Sequence, residues 1–171
     1  LPSPLPAGQQ YKLTRTDNGQ SVPVQIEGGQ TPSVAWIIRE KLPAGRTRRY
    51  RLAPAARNVA PATGVLVADD GKQVTVKVGD KPVLVYNQAV VPSPDPKHPE
   101  YAKSGYLHPV YDPSGRVISD DFNPDHAHQH GIMFAWRTTT FEGRSTNGWD
   151  QLAKTGRVEH VRLQNLASGP V

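Results

Sequence analysis

Three histidines at alternate positions, His126, His128 and His130, follow an aspartate in the run Asp125-His126-Ala127-His128-Gln129-His130-Gly131. No other stretch of the chain concentrates so much potential chemistry. On an extended strand, alternate side chains share one face, and two residues advance the chain by about 6.6–7 Å. An adjacent pair, His126 with His128 or His128 with His130, can therefore converge on one divalent ion. Zinc, manganese and iron all accept imidazole nitrogen, with a carboxylate completing the shell. His126 and His130 stand about 13 Å apart on a regular strand, so a metal site built from all three needs broken strand geometry. Pro124 before the run and Gly131 after it can supply that break. Asp125 falls on the opposite strand face, from which it can orient a neighbouring ring. More distant ligands are His108, Glu159 and His160.

The same residues also support chemistry without a metal. A histidine beside a carboxylate can carry a proton near neutral pH. The catalytic set expected here is His126, His128 and Glu159, with Asp125 and Asp150 as further carboxylate partners. Arg137 and Lys103 can hold an anionic group. Trp136, Trp149 and Tyr106 offer faces on which the apolar side of a sugar can stack. The expected substrate contacts are Tyr106, His108, Arg137 and Trp149. The opposing reading is a hydrogen-bonded histidine cluster in a loop, with no function beyond structure. Trp36 sits in an apolar alternating run and reads as core, and Tyr50 and Tyr86 read as packing residues. Trp149 follows Asn147-Gly148 in a polar loop, a place that suits ligand contact.

Several classes of chemistry are missing. Cysteine is absent, which excludes disulfides and thiolate chemistry. There is no glycine loop for nucleotides, no serine nucleophile elbow and no Walker lysine motif, and Gly28-Gly29 reads as a turn. The net charge of +5 comes from residues 1–60, which hold nine Lys/Arg against three Asp/Glu. The densest basic stretch, Arg46 to Arg51, puts arginine on both faces of a strand and brings no aromatic stacking platform. It reads as a solvated strand and not as a nucleic-acid surface. No apolar run approaches the roughly 20 residues of a membrane span. No oligomeric state follows from the sequence.

The elements that must position these residues are strands. Seventeen prolines and fifteen glycines punctuate the 171 residues, and turn signals recur about every 8–12 residues, the spacing of antiparallel β-structure. Strands are expected over Tyr11–Thr16, Val22–Ile26 (near an edge, because of Pro23), Ser33–Lys41, Arg48–Leu52 and Pro82–Tyr86. Gly64–Val78 reads as a hairpin about Asp70-Gly71. Tyr106–Tyr111 and Arg116–Ile118 flank an Asp112-Pro113-Ser114-Gly115 turn. Gly131–Thr138 reads as a buried strand and Arg157–Leu163 as the last one. Residues 90–104, with Pro92, Pro94, Pro96 and Pro99, form a proline-rich loop.

These segments resemble a bacterial family of unknown function often labelled "methane oxygenase PmoA-like". The likeness runs from Pro23-Val24-Gln25 to Leu52, through Lys81-Pro82-Val83-Leu84-Val85-Tyr86-Asn87 and Tyr106-Leu107-His108-Pro109-Val110-Tyr111. It is most specific at the histidine run and at Asn147-Gly148-Trp149. The family motif tends to carry arginine where this chain has His130. The resemblance implies an exported, periplasmic or secreted bacterial protein with its signal peptide removed, and a sugar-related role. It also implies further strands beyond residue 171.

The expected fold is all-β, an antiparallel β-sandwich over residues 1–171, as a single domain or the N-terminal portion of a larger one. By analogy it can belong to a supersandwich like those of the galactose mutarotases. The expected function is carbohydrate binding, or lyase, hydrolase or epimerase chemistry on sugars, with a divalent metal as candidate cofactor. The alternative is a non-catalytic β-module.

Overall fold

The computed structural model describes residues 9–27, 33–55 and 64–170. The expected turn at Gly28-Gly29 lies outside them. The architecture is all-β, with antiparallel sheets consistent with a sandwich. The chain gathers into two compact units, one of Leu1–Val65 with Ala167–Val171 and one of Leu66–Leu166.

In the first unit, β1 (Tyr11–Arg15) lies between β2 (Ser21–Val22) and β5 (Tyr50–Pro54), and β3 (Gln25–Glu27) pairs with β4 (Ser33–Ala35). Leu13 of β1 is buried. Pro23 cannot donate to a ladder, and the expected Val22–Ile26 strand is split about it into β2, an edge, and β3. Arg15 and Arg48 both reach Glu40, at 3.1 and 3.0 Å, and Arg15 also pairs with Asp17 at 2.6 Å. The N-terminal basic residues are thus partly neutralised in place. The expected strand Ser33–Lys41 stops at Ala35. Trp36 is 37% exposed, against its expected place in a core, and it leans on Tyr50 with ring centroids 5.4 Å apart. Val65 and Gly169 form a two-way backbone bridge that returns residues 167–170 to this unit.

The second unit is built on one five-stranded sheet. Its strands are β6 (Val65–Asp69), β7 (Gln73–Val78), β8 (Lys81–Asn87), β9 (Tyr106–Val110) and β10 (Ile132–Met133), ordered β10-β9-β8-β7-β6. The expected hairpin forms as the sequence indicates. Asp70 Oδ1 accepts the Lys72 and Gln73 amides at 2.8 and 2.7 Å, and Gly71 adopts the positive φ of +82° that this turn requires. Those amide bonds hold the Asp70 carboxyl below its ordinary range. Val85 and Tyr106 are buried on one face of the sheet and Val74 on the other.

Three expectations for this unit are corrected. The buried strand over Gly131–Thr138 is only the two residues of β10. It forms the edge of the sheet, paired on one side, and Ile132, Phe134 and Trp136 are 57–60% exposed. A hairpin of β11 (Thr139–Phe141) and β12 (Arg144–Thr146) follows it. Arg116–Ile118 forms no strand and contributes one bridge, Tyr111 to Val117. Arg157–Leu163 is also not a strand. Side chains anchor it in place of a ladder: the His160 amide donates to Ser104 Oγ at 3.1 Å, and Tyr86 Oη lies 2.9 Å from His160 Nδ1. The proline-rich loop is a loop, closed at its base by the Val91–Lys103 bridge and carrying a short 3-10 turn at Pro99–Tyr101.

Candidate functional site

The histidine run is not extended. Ser119 through His130 is a chain of tight turns, because its polar residues satisfy the backbone locally. Asp120 Oδ1 accepts the Asp121 amide at 2.9 Å, and its Oδ2 accepts Asn123 Nδ2 at 2.8 Å. Asn123 Oδ1 accepts the Asp125 amide at 3.0 Å. The His126 amide donates to the Asn123 carbonyl, and the Gln129 amide to that of His126, at 2.9 and 2.8 Å. The bonds from Asn123 and the Asp121 amide hold the Asp120 carboxyl below its ordinary range.

Alternation therefore fails to put the three imidazoles on one face. His130 turns fully inward, with no exposed surface. Its Nδ1 meets Asp121 Oδ1 at 2.7 Å and its Nε2 meets Gln151 Oε1 at 3.0 Å. Gln151 cannot offer its nitrogen instead, since Nε2 already donates to the carbonyls of Glu100 and Ala102 at 3.0 and 3.3 Å. Tyr106 Oη donates to Asp121 Oδ2 at 2.7 Å. The rings of Tyr106 and Phe122 flank His130 at 5.2 and 4.7 Å. Burial first, and then the Asp121 carboxylate, push the Tyr106 phenol far above its ordinary range. His130 is thus the hub of a satisfied polar core, with both ring nitrogens occupied. The expected three-histidine metal site is corrected accordingly.

His126 and His128 remain outside this core, with ring centroids 6.1 Å apart. His126 is exposed and borders a cavity of about 540 Å³, walled by Ser119, Asp120, Asn123, Asp125, Gln129 and Gly131, with Val110, Ile118 and Ile132. His128 borders a second cavity of about 530 Å³ beneath the proline-rich loop, with His98, Tyr101, Phe122 and Pro124. Asp125 belongs to both walls. His128 Nε2 is buried and has no hydrogen-bond partner among the described residues. Trp149 stands edge-on to the His128 ring at 4.8 Å, and Arg137 Cζ lies 5.8 Å from the Trp149 ring.

The expected site residues therefore separate into groups. His126, His128, Asp125, Trp149 and Arg137 are neighbours. His108 touches this group indirectly, because its Nδ1 lies 2.9 Å from Ser119 Oγ in the His126 cavity. Tyr106 is 1% exposed and engaged with Asp121, so it cannot stack on a sugar as expected. Glu159 is exposed, pairs with Arg157 at 3.2 Å and lines a third cavity with Lys103, so the expected trio of His126, His128 and Glu159 is not assembled around one cavity. Among the described residues, no three His, Asp or Glu side chains stand together as a metal ion requires. Reading by alternation missed Asp120, Asn123 and Gln129 in the cavity wall, and Asp121 and Gln151 in the core. The signal for the wall was the turn-forming composition of Ser119 to Pro124.

A family of unknown function, DUF6807, matches residues 73–171. The chain belongs to that family. The DUF6807 match takes in β7 to β12 and every residue that lines the three cavities. The likeness read from residues 23–52 falls outside it. No curated protein and no solved structure matches the chain.

Proposed function

We propose that this chain is a carbohydrate-binding or carbohydrate-active protein, an exported bacterial protein of the PmoA-like kind that its sequence resembles. The observation that carries the reading is the wall of the His126 cavity. Two carboxylates (Asp120 and Asp125), two amides (Asn123 and Gln129) and one imidazole stand beside the apolar Val110, Ile118 and Ile132. Sugar hydroxyls both donate and accept hydrogen bonds, and planar acid, amide and imidazole groups match them. The C–H faces of a sugar ring favour apolar side chains, which here lie exposed at Ile118 and Ile132. Turnover in this reading falls to His126 as proton carrier beside Asp125, in lyase, hydrolase or epimerase chemistry at a glycosidic or anomeric carbon.

The test is saturation-transfer NMR with a panel of neutral mono- and oligosaccharides. Wild-type protein is expected to bind at least one member, and Asp125→Ala with His126→Ala to lose it. Absence of binding throughout the panel, or binding indifferent to the double variant, overturns the reading.

A second reading adds a divalent cation, zinc, manganese or iron, at His128. It is favoured by the buried, unpartnered Nε2 and by the neighbouring His126 ring. Those two imidazoles would hold the ion, which would supply Lewis acidity to a bound oxygen. The competing non-catalytic reading draws on His130, whose role is structural.

A further inference from the structure

The third cavity of the second unit has a different chemistry. It encloses about 540 Å³ between the end of the proline-rich loop and residues 151–159. Its inner wall holds Lys103, only 4% exposed. Most polar groups around that lysine are already committed. Ser104 Oγ accepts the His160 amide at 3.1 Å, and Thr155 Oγ1 accepts the Asn147 amide at 3.1 Å. Gln151 is held by His130 and by two carbonyls. Glu100 pairs with His98 at 3.1 Å and Glu159 with Arg157 at 3.2 Å.

The Lys103 ammonium is the exception. It has three hydrogens to donate. Among the described residues its one hydrogen-bond partner is the Val158 carbonyl at 3.5 Å, and no carboxylate lies within ion-pair distance. A buried charge so poorly satisfied is costly unless something completes it. Burial accordingly pushes the amine below its ordinary range, against the opposing field of Glu159. Lys154 and Arg157 line the same cavity and are exposed; Arg157 is spent on Glu159, which leaves Lys154 as the cation at the mouth.

We propose that this cavity binds a small anion, a carboxylate or phosphate group borne by a metabolite, with Lys103 as its central contact and Lys154 at the entrance. The anion supplies the acceptors that the ammonium lacks, in a place where charge-assisted hydrogen bonds are strengthened by the burial of Lys103. The site is separate from the His126 cavity and does not depend on the sugar reading.

The test is isothermal calorimetry of the 171-residue chain with glucuronate, inorganic phosphate and neutral glucose as probes, at constant ionic strength. Glucuronate or phosphate is expected to bind. Lys103→Met, which keeps the stem and deletes the charge, is expected to weaken that binding at least about tenfold. Binding of glucuronate alone assigns a carboxylate ligand, and binding of phosphate alone a phosphate ligand. Neither anion binding, or Lys103→Met binding as wild type does, overturns the proposal. Should Lys103→Met fail to fold by circular dichroism, Lys154→Met on the exposed rim carries the test, with a loss of about threefold expected and no loss overturning it. Glucose reports on the sugar reading through Asp125→Ala, so failure of one proposal leaves the other standing.

Discussion

Asp121 and His130 are joined twice, by an antiparallel backbone bridge and by a 2.7 Å contact between Oδ1 and Nδ1. The turn between them, residues 122–129, is thereby closed at its base, and the exposed His126 is presented from a rigid frame. Two histidines four residues apart thus have opposite burdens. Replacing His130 by alanine removes a packed ring and leaves Asp121 and Gln151 unsatisfied, at an expected cost of about 3–5 kcal/mol. Replacing His126 is expected to change stability by no more than about 0.5 kcal/mol. Urea denaturation of both variants checks the contrast. Equal losses would remove His130 from its place as hub.

The strands were legible where local chemistry sets them. Asp70-Gly71 between alternating valines could only be a hairpin, and Pro23 could only interrupt a ladder. The histidine run was legible as a place of interest and misread in geometry. Its alternation has strand period, but Asp120, Asn123 and Pro124 bind and bend the backbone first, and local hydrogen bonding overrides the period. The inward turn of His130 depends on Gln151, 21 residues away, and on Tyr106 across the sheet. No spacing rule in a single sequence announces such partners. Residues 157–163 read as a strand from Val158, Val161 and Leu163, yet Ser104 and Tyr86 fix that segment through side chains.

The Tyr106 phenol gives an alkaline signature. Its folded-state proton affinity is raised by burial and by Asp121. The folded chain therefore holds a proton that the unfolded chain releases near the ordinary phenol value, about pH 10. The stability that it contributes is complete below about pH 10 and declines as pH rises above that. Absorbance titration at 295 nm is expected to show Tyr106 ionising only with unfolding, and Tyr106→Phe to remove that late step. An unchanged titration in the variant refutes the assignment.

Gly131 closes the histidine segment against β9. Its φ is +48°, and a Cβ there would collide with the Leu107 carbonyl oxygen and lie 3.0 Å from His108 Cβ. The backbone cannot yield without disturbing the β9–β10 pairing of Leu107 with Ile132. Gly131→Ala is expected to cost about 2–4 kcal/mol, from backbone strain together with steric overlap. Gly143→Ala is a matched control: its φ of +74° is also positive, but it has open space around its Cβ position. It should cost only about 1 kcal/mol. Thermal unfolding of the pair separates strain from collision, and equal losses would mean that the approach to Leu107 contributes nothing.

The unpartnered Nε2 of His128 leads to the last prediction. An imidazole nitrogen buried without a hydrogen bond lacks a partner that a cation would supply under the second proposed reading, with the His126 ring centroid 6.1 Å away and Trp149 edge-on at 4.8 Å. Zinc titrated into metal-free protein is expected to bind at one per chain. His128→Ala should abolish that binding, and His126→Ala should weaken it at least about tenfold, as loss of one of two imidazole ligands does. His130→Gln is expected to leave zinc stoichiometry intact, because His130 is spent on Asp121 and Gln151. Zinc lost with His130 but retained without His128 would place the ion in the polar core and refute this site.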